Sequence, residues 1–144
     1  MLLDVWLDGP PSTATAQQKG AFVVRGKIRF FTRGRVLSAS RELVARTIPH
    51  APKKPFEGPL RLRVTYCWHL LAADIKQGGG IRPMYRRPDA DNLVKLLLDS
   101  LQRAGWFLDD GQISTLVIKK RRGPKVGMRL ILERDETNGE SYPK

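Results

Sequence analysis

The sequence predicts a small, single α+β (mixed α/β) domain: one mixed β-sheet with two main helices, in the order β-α-β-α-β-β. Three observations carry this. Residues 60–71 alternate, with Leu60, Leu62, Val64 and Tyr66 set against Arg61, Arg63 and Thr65, which is the period of a strand with one buried face. Residues 89–104 repeat at the helical period, with Leu93, Leu97, Leu101 and Ala104 on one apolar ridge. Residues 113–120 and 128–133 read as two strands joined by the basic turn Arg121-Arg122-Gly123-Pro124-Lys125. Elements of both periods, interleaved in 144 residues, pack as helices on one small sheet.

Each element follows in order. Residues 2–7, with Val5 and Trp6, form a short strand that Gly9-Pro10-Pro11-Ser12 stops. Residues 13–35 place Lys19, Arg25, Lys27, Arg29, Arg33 and Arg35 among Gly20, Gly26 and Gly34. There Val23, Val24, Ile28, Phe30 and Phe31 fit a ragged hairpin, and a long basic loop fits equally; the sequence leaves both open. Ser38 or Ser40 is expected to cap a helix running to about Ile48, with Leu43, Val44 and Ile48 on one side. Pro49, Pro52, Pro55 and Pro59 enforce an extended link to the strand at 60–71. Gly78-Gly79-Gly80 is expected to be a mobile loop. The helix at 89–104 starts at Pro88-Asp89, widens its apolar face with Leu96 and Leu98, and ends at Arg103 and Gly105. Residues 1–135 are expected to be the domain, and 136–144 a polar tail that frays from Asp135 on.

Charge narrows the partner. Twenty-six Lys and Arg against 14 Asp and Glu give +12 and a pI near 10.5. That excess favours nucleic acid ahead of an acidic membrane surface. The one cysteine, Cys67, excludes an intramolecular disulfide, and with only His50 and His69 beside it a structural zinc site is not expected. No stretch has the length of a membrane span, and the N-terminus does not read as a signal peptide. The expected setting is the cytoplasm.

The chemistry-bearing segment is acidic. Asp89 and Asp91 open the second main helix; Asp91, Lys95 and Asp99 share one face at i, i+4, i+8; Asp109 and Asp110 follow in the next loop. Two carboxylates at a helix start and one or two from a neighbouring loop can ligate a hard divalent cation. Such an ion polarises a phosphodiester and activates water. Lys95 is placed to stabilise developing charge, and the surrounding arginines to hold DNA. Each acid also has an ordinary structural role. Asp89 is a candidate N-cap, Asp91–Lys95 a surface ion pair, and Asp109-Asp110-Gly111 a turn. An EF-hand, an Asp-x-Asp phosphatase strand, a P-loop, a zinc finger and a dinucleotide fingerprint all lack their required context.

The run Arg87-Pro88-Asp89-Ala90-Asp91-Asn92-Leu93-x-Lys95-x-x-x-Asp99-x-Leu101, then Gly105-Trp106-Phe107-Leu108-Asp109-Asp110-x-Gln112-Ile113, resembles the signature of RusA-type Holliday junction resolvases. The resemblance implies a homodimer that binds four-way DNA junctions and makes paired nicks with Mg²⁺, for which Mn²⁺ is a plausible substitute. It implies that Asp89, Asp91 and Asp110 are metal-binding catalytic carboxylates, with Asp109 a further candidate ligand, and that Lys95 is the family's essential lysine. Asn92 and Asp99 are supporting residues, Asp99 alternatively a buried structural acid. Candidate DNA contacts are Lys19, Arg25, Lys27, Arg29, Arg33, Arg35, Arg86, Arg87, Lys119, Lys120, Arg121, Arg122 and Lys125. The family's motifs after the first strand are absent here, where Pro10-Pro11-Ser12 is followed by Thr13-Ala14-Thr15. A bacterial cytoplasm, or a phage protein in its host's cytoplasm, is the implied setting. Two other readings stay open: a non-catalytic basic nucleic-acid-binding domain, and a flap or fork nuclease of the same fold.

Overall fold

A computed structural model describes residues 1–13, 19–32 and 34–139. In chain order the elements are β1 (Leu3–Asp8), β2 (Lys19–Val24), β3 (Lys27–Thr32), α1 (Gly34–Thr47), β4 (Leu60–Trp68), α2 (Ala72–Lys76), β5 (Arg82–Pro83), α3 (Ala90–Arg103), β6 (Ile113–Arg122) and β7 (Gly127–Arg134). The main sheet runs β1-β7-β4-β6-β5, and β2 and β3 form a separate two-stranded hairpin. β4 pairs in parallel with β6, and every other pairing is antiparallel. The mixed sheet with two main helices is therefore as expected, with the hairpin realised in place of the basic loop.

One face of the sheet makes the core. Leu60, Leu62, Val64, Tyr66 and Trp68 of β4 join Val5, Leu7, Met128, Leu130 and Leu132 from the neighbouring strands. They meet Leu93, Leu97 and Leu101 of α3 and the buried Trp106 and Phe107 that follow it. The leucine ridge of α3 thus follows from its sequence period, and its polar stripe of Asp91, Lys95, Asp99 and Gln102 is left outside. Helix α1 packs beside α3 through Val36, Ala39 and Leu96. Trp106 Nε1 donates to Thr47 O at 3.0 Å, so the C-terminal ends of both helices meet.

Several boundaries differ from the sequence reading. Helix α1 begins at Gly34, so Ser38 and Ser40 lie inside it. Burial of Val36 and Ala39 against Leu96 extends the helix upstream of those serines. β4 stops at Trp68, because Leu71 N donates to Asp74 Oδ2 (2.9 Å) and opens the short helix α2, which periodicity had not suggested. The glycine loop expected to be mobile is tied to α2: Gly78 N–H and Gly79 N–H donate to Ile75 O and Asp74 O. Asp135 does not fray either. Its carboxylate accepts from Ser114 Oγ, Thr115 Oγ1 and Thr137 N, and its own N–H donates to Pro59 O. Those donors, the Thr115 hydroxyl foremost, hold the Asp135 carboxyl well below the usual carboxylate range.

Candidate active site

The segment leading into α3 is held by β6. Lys120 Nζ donates to Arg86 O and to Pro88 O (2.6 Å), and Met84 N donates to Lys120 O at 3.0 Å. Asp89 is the residue before the helix, and its carbonyl accepts from Leu93 N at 3.0 Å. Its carboxylate makes no cap hydrogen bond, so the capping role expected of that side chain is not taken. Asp91 is exposed in the first turn, and Lys95 is exposed one turn later. Among the described residues neither pairs with a partner, so the anticipated Asp91–Lys95 ion pair is absent. Asn92 is half-buried beside them. An open cleft of about 450 Å³ adjoins this end, lined by Arg82, Arg86, Arg122 and the exposed Tyr85 among others. The macrodipole of α3 adds partial positive charge there, favourable to carboxylates and phosphates alike.

Asp109 and Asp110 are built differently. Asp109 opens a 3₁₀ turn, Asp110–Gln112, and its Oδ1 accepts Gly111 N–H at 2.9 Å. Gln112 locks the turn: its Oε1 accepts from Leu108 N and Asp109 N, and its Nε2 donates to Phe56 O and Gly58 O. Gln102 Oε1 accepts Asp110 N–H at 3.0 Å. Asp109 thus fills the turn role foreseen for it. The Gly111 N–H, then Asp110, hold the Asp109 carboxyl below its ordinary range. The hydrogen bond to Asp109, slight burial, and the charges of Asp109 and Asp99 push the Asp110 carboxyl up. Asp99 is no buried structural acid; its side chain is 54% exposed and pairs with Arg103 at 3.2 Å, since it sits on the polar stripe of α3.

The structure therefore groups Asp99, Asp109 and Asp110 at one end of α3 and Asp89 and Asp91 at the other. Fourteen helical residues span about 21 Å. β6 gives the same scale: Asp110 precedes Ile113, whereas Pro88 is held by Lys120, about 23 Å further along an extended strand. The sequence expectation that loop and helix-start carboxylates converge is not met within one chain, because the helix between them keeps them apart. Among the described residues no three Asp, Glu, His or Cys side chains come together to enclose an ion. The donors are all carboxylate oxygens, and the crowding that raises Asp110 is what a cation relieves, so the chemistry suits a hard divalent ion. The carboxylates stand in two groups, one at each end of α3, each no more than half of such a site.

The basic candidates separate by environment. Arg25, Lys27 and Arg29 are exposed on the hairpin, and Arg86 and Arg87 are exposed beside Asp89. Lys119 is exposed on β6, and Lys125 Nζ lies 4.2 Å from the Trp6 ring centroid. Arg121 and Arg122 donate to Lys120 O and His69 O, and Lys120 is spent on the carbonyls before α3. Arg33 and the side chains of Lys19 and Arg35 lie outside the described residues. Gln102 escaped the sequence reading, and Lys120 and Gln112 are named there, as a DNA contact and a motif position, without their positioning roles. Only Gln112 carried a signal, as a fixed point of the Asp-Asp-x-Gln run.

Comparison with known proteins identifies the family. The profile of the family described as Endodeoxyribonuclease RusA matches residues 11–133. The chain is also 35% identical over 116 residues to the "Crossover junction endodeoxyribonuclease rusA" of Lactococcus phage r1t, covering 79% of this chain and 82% of that one. By a match across most of its length, the chain belongs to the RusA family of endodeoxyribonucleases.

Proposed function

We propose that this chain is a Mg²⁺-dependent endonuclease that resolves four-way DNA junctions as a two-fold homodimer, with Asp89, Asp91, Lys95 and Asp110 as its catalytic residues. The observation that carries the reading is the state of Asp89 and Asp91. In a chain of net charge +12, both stand at a helix start with no cap bond and no cationic partner among the described residues. Carboxylates left uncompensated among arginines are poised for an ion.

Asp89, Asp91 and Asp110 would hold the Mg²⁺, which when bound would supply Lewis-acid activation of the phosphodiester and of water. The chain's own groups do the rest. Lys95 offers an ammonium to the charge that builds on the phosphate. Lys120 fixes the backbone before Asp89. Gln102 and Gln112 fix the turn that presents Asp110. Because the half-sites lie about 20 Å apart along α3, we assign their union to the dimer: the helix start of one protomer faces the acidic turn of its partner. A two-fold axis then creates two equal sites, matching the paired strands of a four-way junction.

Mixing two dead variants tests this. Asp91→Asn and Asp110→Asn should each bind junctions without cutting. Co-refolded, they should regain single-strand nicking, since each mixed dimer holds one intact site and one doubly disabled site. Cutting by Asp91→Asn alone would overturn the catalytic assignment. An inactive mixture of proven mixed dimers would overturn the shared site.

A further inference from the structure

We propose that the β2–β3 hairpin is a branch-point probe: Val23 and Ile28 insert between bases where the strands of a junction part, while Arg25, Lys27 and Arg29 hold the flanking phosphates. Resting on the endonuclease reading above, this gives the chain a means of telling a branch from a linear duplex.

Charge names the occupant. Between Asp8 and Glu42 there is no acidic residue, and the bases are Lys19, Arg25, Lys27, Arg29, Arg33, Arg35 and Arg41. Such an unbroken cationic segment suits a phosphate backbone. Apolar exposure names the action. Val23 is 70% and Ile28 63% exposed, and they are direct cross-strand partners, so they form one apolar pair on one face. Val24 adds a further exposed apolar side chain, opposite Lys27. Small apolar wedges flanked by cations are how proteins part stacked base steps. Parting costs least where bases are already poorly stacked, as at a branch.

The backbone supports a presented tip. Arg25 and Gly26 have φ of +50° and +74°, so both central residues of the turn are left-handed, the geometry of a type I′ hairpin. Asn or Gly is the easy choice at the first position; Arg there sets a guanidinium at the extremity despite the unfavourable backbone. The hairpin is also its own sheet, and isolated two-stranded ribbons are marginal in water, so a partner would stabilise it.

Placement completes the case. α1 starts at Gly34, two residues after β3 ends at Thr32. α1 and α3 share their C-terminal end through Trp106 and Thr47, and Val36 and Ala39 lie against Leu96. The two helices therefore run parallel, and the hairpin is rooted at the end that carries Asp89 and Asp91. Six-residue strands give it a reach of about 20 Å.

The test uses the full chain and a four-way junction carrying 2-aminopurine at the branch, in EDTA. Wild type should raise the fluorescence as the base unstacks. Val23→Ser/Ile28→Ser should not, and with Mg²⁺ its junction cutting should fall about tenfold or more. Its binding to linear duplex and its Tm should match wild type, since both side chains are exposed. Equal fluorescence and equal cutting in the variant would overturn the proposal. So would a variant that sediments as a monomer and loses all DNA alike, which would make the hairpin a contact to a second copy. Wild-type fluorescence without cutting would sink the endonuclease reading and leave the probe standing.

Discussion

Lys120→Met separates a positioning lysine from a phosphate contact. The ammonium donates to Arg86 O and Pro88 O, a clamp on the residues before Asp89. Charge-assisted hydrogen bonds contribute about 1.5–3 kcal/mol each when shielded. Lys120 is only half-buried, and the freed carbonyls regain water, so a loss of about 1–2 kcal/mol in total is expected. For 144 residues the unfolding entropy is about 0.3 kcal/mol/K, so Tm should drop by about 3–7 °C. Misplacing the helix start by about 1 Å should cut turnover about a hundredfold. Methionine keeps the apolar stem, so packing is retained. The assays are a thermal melt, junction cutting at saturating DNA, and binding across a salt series. Turnover should fall far more than affinity, and the salt slope should stay unchanged. An unchanged Tm, with weaker binding to all DNA and a salt slope shallower by about 0.9, would refute the clamp and return Lys120 to the phosphate backbone.

A Cβ at Gly127 would meet Leu7 O and fall 2.6 Å from Trp6 Cζ2 in the β1–β7 pairing, so Gly127→Ala should destabilise by about 1–3 kcal/mol, read by chemical denaturation. The depressed Asp135 carboxyl binds its proton less tightly folded than unfolded, so its stabilisation is fully present above about pH 4 and is lost below that, as pH falls toward the lowered folded-state value. Asp135→Asn should therefore be less stable than wild type at neutral pH, with the gap closing in acid; a gap constant with pH would contradict this. Millimolar Mg²⁺ should raise the Tm of wild type and not that of Asp91→Asn, since a ligand of the folded state alone stabilises it. Equal shifts in both would place the ion elsewhere.

Much of this was legible in the sequence because periodicity reports burial. The alternation at 60–68 and the leucine ridge of α3 each reappear as one buried face. The acids were legible because carboxylates in a basic chain stand out, and their spacing around Lys95 is distinctive. Their separation was implicit in the same spacing: an uninterrupted helix between Asp91 and Asp110 holds its two ends about 20 Å apart. What the sequence hid was tertiary. Nothing local marks Lys120 as a clamp rather than one more surface cation; that depends on β6 passing beside the loop before α3. Nothing local extends α1 to Gly34, since the cause is Leu96, sixty residues on. Asp135 read as tail because its partners, Ser114 and Thr115, come from another strand.

If the acids at the two ends of α3 make a metal-dependent, branch-selective nuclease, cutting must require both the ion and the branch. The most direct measurement incubates the purified protein with a labelled four-way junction, a matched linear duplex and a fork, each with Mg²⁺ or EDTA. Paired nicks are expected on the four-way junction, only with Mg²⁺, with the duplex left intact. Junction binding with no cutting under any divalent metal would contradict this, and would return Asp89, Asp91 and Asp110 to solvated helix and turn acids. Cutting of the fork with an untouched four-way junction would keep the chemistry and overturn the substrate.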